Sequence, residues 1–85
     1  MLMVYDVDLE LQSAATVVDI LRLKDHFKAL SIDAVGLDDE SAGRRTEELS
    51  FSIYGNVGPF MMKRMVQECT RNIFPGSSVA VSHRG

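Results

Sequence analysis

Asp6, Asp8 and Glu10 stand at spacing two, which on a strand puts three carboxylates on one face. With added oxygen ligands, three such acids could hold a hard cation. The preferred reading is plainer: they keep an open sheet face in water, as antiparallel sheets commonly do. A second grouping is Gly55-Asn56-Val57-Gly58, just ahead of Pro59 and of a helical pattern with no acid in its first turn. The free N–H groups and positive dipole end of such a helix suit a phosphate or carboxylate, with Lys63 and Arg64 close by in sequence. Glycines would let that small anionic ligand approach the backbone. Turn chemistry ahead of a capped helix explains the same residues and is the default.

Phe60 is the odd residue of that helix. At 100° per residue it falls away from Met61, Met65 and Cys69 and among Lys63, Arg64, Gln67 and Arg71. Phe60, Gln67 and Arg71 therefore form a candidate partner surface, an aromatic within a basic face. The competing and slightly preferred expectation is that Phe60 folds back against the core as a hydrophobic staple. His26, His83 and the single cysteine, Cys69, have no metal-ligand spacing. No Ser–His–Asp or Cys–His set can be assembled, so no catalytic residue, metal or cofactor is expected. Cys69 reads as a small core hydrophobe, and the methionines near it as core filler or the lining of an adaptable cleft.

The elements that must position these residues follow from hydrophobic periodicity. Residues 1–11 alternate, with Met3, Tyr5, Val7, Leu9 and Leu11 on the apolar face. Residues 14–30 read as a helix with Val17, Ile20, Leu23, Phe27 and Leu30 on one stripe; Ser13 or Thr16 can cap it, and Thr16 with Asp19 resembles a capping box. A second strand is expected at 32–37, a polar hairpin loop at 38–44, and a third strand at 45–54 with Leu49, Phe51 and Ile53 inward. The second helix runs from about 59 to 74, with Met61, Met62, Met65, Val66, Cys69 and Ile73 buried and Pro75-Gly76 as its stop. Residues 77–82 form the last strand, Val79 and Val81 inward, and 83–85 are expected to fray.

Strand, helix, strand, strand, helix, strand resembles the ferredoxin-like superfold over the whole chain. The expectation is one α+β domain, residues 1–85, with a four-stranded antiparallel sheet, two helices on one face and spatial order 4-1-3-2. The ACT regulatory domain shares this layout, but its ligand loop carries an acid and a glycine where Leu11-Gln12-Ser13-Ala14-Ala15 has neither. The glycine-rich, arginine-bearing loop of the acylphosphatase layout is absent too. Gly55-x-x-Gly58 is similar to the backbone-clamping loop of the KH domain, yet that loop joins two helices and this one follows a strand. An RNA-recognition sheet is disfavoured: the exposed side of the third strand reads Glu48, Ser50, Ser52, Tyr54, and only Tyr54 could stack.

Eighty-five residues with net charge −3 and 46% hydrophobic content fit a small globular protein whose core gains from oligomerisation. Charge is uneven. Residues 1–48 hold eleven acids and five bases, net −6, and residues 49–85 hold one acid and four bases, net +3. One cysteine and no signal peptide or membrane-length apolar run point to the cytoplasm and away from membranes. The expected function is a non-catalytic, self-associating binding or regulatory module: a homo-oligomer, or a subunit bound to a protein partner. The edge strand Val79-Ala80-Val81 is the candidate self-association edge. A small enzyme with a site between subunits is the first alternative. A weak nucleic-acid module using the basic C-terminal half is the second, disfavoured by the net charge.

Overall fold

The computed structural model describes residues 2–37 and 47–84. Its elements are β1 (Met3–Glu10), α1 (Val17–Ala29), β2 (Asp33–Val35), β3 (Glu48–Gly55), α2 (Pro59–Ile73) and β4 (Ser78–His83). The strands form one antiparallel sheet in the order β2-β3-β1-β4, which is the expected 4-1-3-2 seen from the other edge. The fold is α+β with two helices against one sheet face. The hairpin loop expected at 38–44 and the first residues of the third strand lie outside the described residues.

Period-two alternation divides the sheet. Tyr5, Val7 and Leu9 of β1 and Leu49, Phe51 and Ile53 of β3 are buried under the helices. Ile20, Leu23 and Phe27 of α1 and Met62, Val66 and Cys69 of α2 close the core. Met3, Val79 and Val81 pack against its margin. Fully burying a side chain of this size is worth roughly 1.5–3 kcal/mol, so this layer supplies most of the folding drive.

Local signals set the helix ends. α1 starts at Val17 and not at Ala14 because the capping box forms: Asp19 N donates to Thr16 Oγ1 (3.2 Å) and Thr16 N donates to Asp19 Oδ2 (3.3 Å). Val17 and Leu30, placed on the buried stripe by spacing, are about two-fifths exposed, since they flank the helix at its two ends. α2 has Gly58 as N-cap and Pro59 at its first position. Met61 also departs from expectation. It is half exposed on the helix flank, and Thr70 is buried in its stead. Thr70 can be buried because its hydroxyl donates back to Val66 O (2.9 Å), so no polar group is orphaned. Beyond α2, Gly76 takes φ +82, a conformation that L side chains rarely adopt.

The exit of α1 holds a strained residue. Ser31 N donates to Lys28 O (3.0 Å) and Ile32 N to Phe27 O (2.9 Å), the paired bonds of a Schellman ending. That ending needs a left-handed residue, and Ser31 supplies it at φ 60. Glycine adopts this conformation without the Cβ penalty. Ser31→Gly is therefore expected to stabilise the protein by roughly 0.5 kcal/mol, part of the relieved strain being offset by the freer unfolded chain. A rise in the urea midpoint at unchanged m-value checks this.

Candidate functional site

The sheet face away from the helices carries Asp6, Asp8 and Glu10 together, as their spacing requires. It also carries Asp33, Glu48 and Arg84, and among the described residues its net charge is −4 (five acids against one base). Two of the three acids on β1 already have protein donors. Ser50 Oγ donates to Asp8 (2.7 Å), and Ser52 Oγ donates to Asp6 (3.0 Å). Arg84 grips Asp6 along one edge of its guanidinium, Nε to Oδ2 at 3.1 Å and Nη2 to Oδ1, and Nη2 also reaches Ser52 Oγ (3.2 Å). Bidentate guanidinium–carboxylate bonding is among the stronger exposed pairings. These hydrogen bonds from Arg84 and Ser52 hold the Asp6 carboxyl below its ordinary value. The expected fraying is thus corrected at His83 and Arg84, Gly85 lying outside the described residues: His83 belongs to β4, its ring lies 5.0 Å from that of Tyr5, and Arg84 N donates to Val4 O (2.9 Å). Arg84 and Asp6 are 78 residues apart, so no local pattern announces the pair.

The loop expected to take an anion is shaped in part by packing and capping. Gly55 is the last residue of β3 and is buried. A Cβ there would meet Met62 Cε at 2.9 Å and Ile32 Cγ1 at 3.6 Å, so this glycine makes room for packing. Tyr5 Oη donates to Val57 O (2.5 Å), fixing the loop to the centre of the sheet. Gly58 caps α2 with no side-chain bond, and the first turn holds no acid. Lys63 and Arg64 stand a turn further along, about 6 Å of helix rise beyond Pro59. Arg64 meets Glu68 at 3.9 Å.

Phe60 is 81% exposed, which overturns the staple. Gln67 and Arg71 line a groove of about 430 Å³ between α2 and the start of β4, with Thr70, Phe74, Ser77 and Val79. Phe60, Gln67 and Arg71 stand at spacings of seven and four along α2 and so share one helix face, with the exposed aromatic at its start and the groove near its end.

Val79, Ala80 and Val81 lie on an open edge. Because Arg84 N bonds Val4 O, the alternation of an antiparallel ladder makes Ser82, Ala80 and Ser78 the residues hydrogen-bonded to Asp6, Asp8 and Glu10. The N–H and C=O groups of Val79, Val81 and His83 then point outward, where no described strand meets them. β4 contains no lysine, arginine, acid or proline, the residues that usually blunt an edge. The opposite edge is protected by its brevity, since β2 has three residues and is followed by Gly36 at φ +90.

Cys69 is buried, and desolvation with the nearby Glu68 charge pushes its thiol up. It is the core hydrophobe that its position on α2 suggests. Among the described residues, no group of three His, Cys, Asp or Glu could hold a metal ion, and no helix is long and apolar enough to cross a membrane.

Two outcomes follow. Cys69 is expected to ignore a thiol reagent in the native protein and to react on unfolding in urea, as a time course of labelling reads directly. The Asp6–Arg84 pair adds a pH dependence whose sign is set by the lowered pKa. Its contribution is present above the ordinary Asp value of 3.8 and disappears as pH falls through the lower folded value. Asp6→Asn is expected to lower stability at pH 6, with the gap to wild type closing in urea titrations run below that value. No family model, no curated protein and no solved structure matches the chain.

Proposed function

We propose that this protein is a non-catalytic, self-associating module of the binding or regulatory kind, which pairs with another chain through the β4 edge. One observation carries the reading: the two sheet edges are built unequally. β2 is short, whereas β4 offers six consecutive residues with no charge, no proline and three outward-facing backbone positions. An exposed edge of this kind is a template for strand pairing, and natural monomers avoid it. The small core adds a thermodynamic reason, since association supplies burial that a chain of this length lacks alone.

Other features weigh against the alternatives. Among the described residues, the groups with displaced titration are Asp6 and Arg84, bonded to each other on the open sheet face, and Cys69 in the core. An enzyme would place such groups in an enclosed cleft. The net charge of −3 weighs against phosphate contacts, which dominate nucleic-acid affinity.

Light scattering on a size-exclusion column, at two concentrations and two salt levels, is the test. A defined oligomer that persists at high salt is expected, because main-chain pairing is not an ionic contact. Val81→Pro keeps the bonds to β1, whose donors come from other residues, and removes an outward donor. It is expected to shift the protein toward monomer. A wild-type monomer at every concentration would sink the reading.

A further inference from the structure

We infer that the partner at the β4 edge is a second copy of this chain, and that the two strands pair antiparallel about a two-fold axis at Val81, joining two sheets into one of eight strands. The inference rests on the self-association proposed above and specifies its surface and register.

The argument begins with the outward backbone groups. Val79, Val81 and His83 face away from β1, and Ser78, Ala80 and Ser82 face toward it. In an antiparallel ladder, hydrogen-bonded positions on one strand must oppose hydrogen-bonded positions on the other. An axis at Val81 pairs Val81 with its own copy and Val79 with the copy's His83. It is the one register in which all three outward residues of each strand find outward partners. An axis at Ala80 pairs Val79 with Val81 but sends His83 to Ser77, whose N–H already donates to Phe74 O (3.2 Å).

Side chains agree with this register. On the helix side, Val81 meets Val81 at the axis, a β-branched pair of the kind that stabilises sheets. Val79 and His83 flank it, and Val79 also lines the groove that holds Gln67 and Arg71. On the open side, Ala80 meets Ser82 and Ser78 meets Arg84. Arg84 is the only charged residue in the paired stretch, and it opposes an uncharged one while Asp6 holds it. No like charges face each other. An uncharged strand offers a charged partner strand nothing to recognise, whereas its own copy matches it position by position.

Cysteine cross-linking reads the register. With the axis at Val81, the two Cα atoms of residue 81 are about 5.5 Å apart, inside the range a disulfide spans. The two copies of Ala80 are then offset by two residues, roughly 8 Å apart, beyond that range. Val81→Cys and Ala80→Cys are each oxidised with native Cys69 in place and run on a non-reducing gel, with circular dichroism to confirm folding. The expected result is a covalent dimer from Val81→Cys and none from Ala80→Cys. In unmodified protein, amide exchange is expected to show Val79, Val81 and His83 protected together, a measurement that no substitution can disturb. An oligomer by light scattering in which Ala80→Cys links and Val81→Cys does not overturns the register alone. An oligomer with neither link and free exchange at those three amides overturns the β4 surface, while self-association stands. A monomer overturns both.

Discussion

β1 has hydrogen-bonded neighbours on both sides, β3 through its odd-numbered residues and β4 through its even-numbered ones. The rest of the architecture depends on this double pairing. A strand bonded on both sides cannot slip by one residue without turning Tyr5, Val7 and Leu9 out of the core and three carboxylates into it. The alternation along β1 therefore fixes the register of both neighbours at once. It also decides which backbone groups of β4 remain outward, because a strand bonded on one side through every second residue leaves the others unpaired. The dry face, the acidic face and the open edge share this single origin.

What could be read from the residues alone was whatever a short window contains. The alternation of β1 and β3, the Thr16–Asp19 box and the Pro75-Gly76 stop are signals spanning a few positions, and the structure places each as expected. β2 was overextended because Ile32 and Leu37 are both buried and look like strand ends, yet the ladder between them covers Asp33–Val35. Ser31 gives no warning of its left-handed conformation, since the hydrogen bonds that demand it come from Phe27 and Lys28. Met61 is exposed and Thr70 buried because angular position outranks apolar type on α2, and a threonine can satisfy its hydroxyl within its own helix.

The surface features were legible in proportion to how local they are. Val79, Ala80 and Val81 could be placed on an edge once the strand order was known. The outward set of backbone groups could not, because it depends on a bond between Arg84 and Val4 across the ends of the chain. Phe60 shows the limit in the other direction. Its position at the start of a helix is compatible with folding inward or pointing out, and only the exposure of its ring in the fold shows which it does.

Tyr5 joins two regions otherwise described apart. Its ring lies against His83 at the sheet edge, and its hydroxyl holds Val57 in the turn before α2. The side chain is rigid, carries two rotatable bonds and is nearly inaccessible to solvent. One side chain thus serves both places, its ring closing the sheet margin beside His83 and its hydroxyl bracing the turn from which α2 starts.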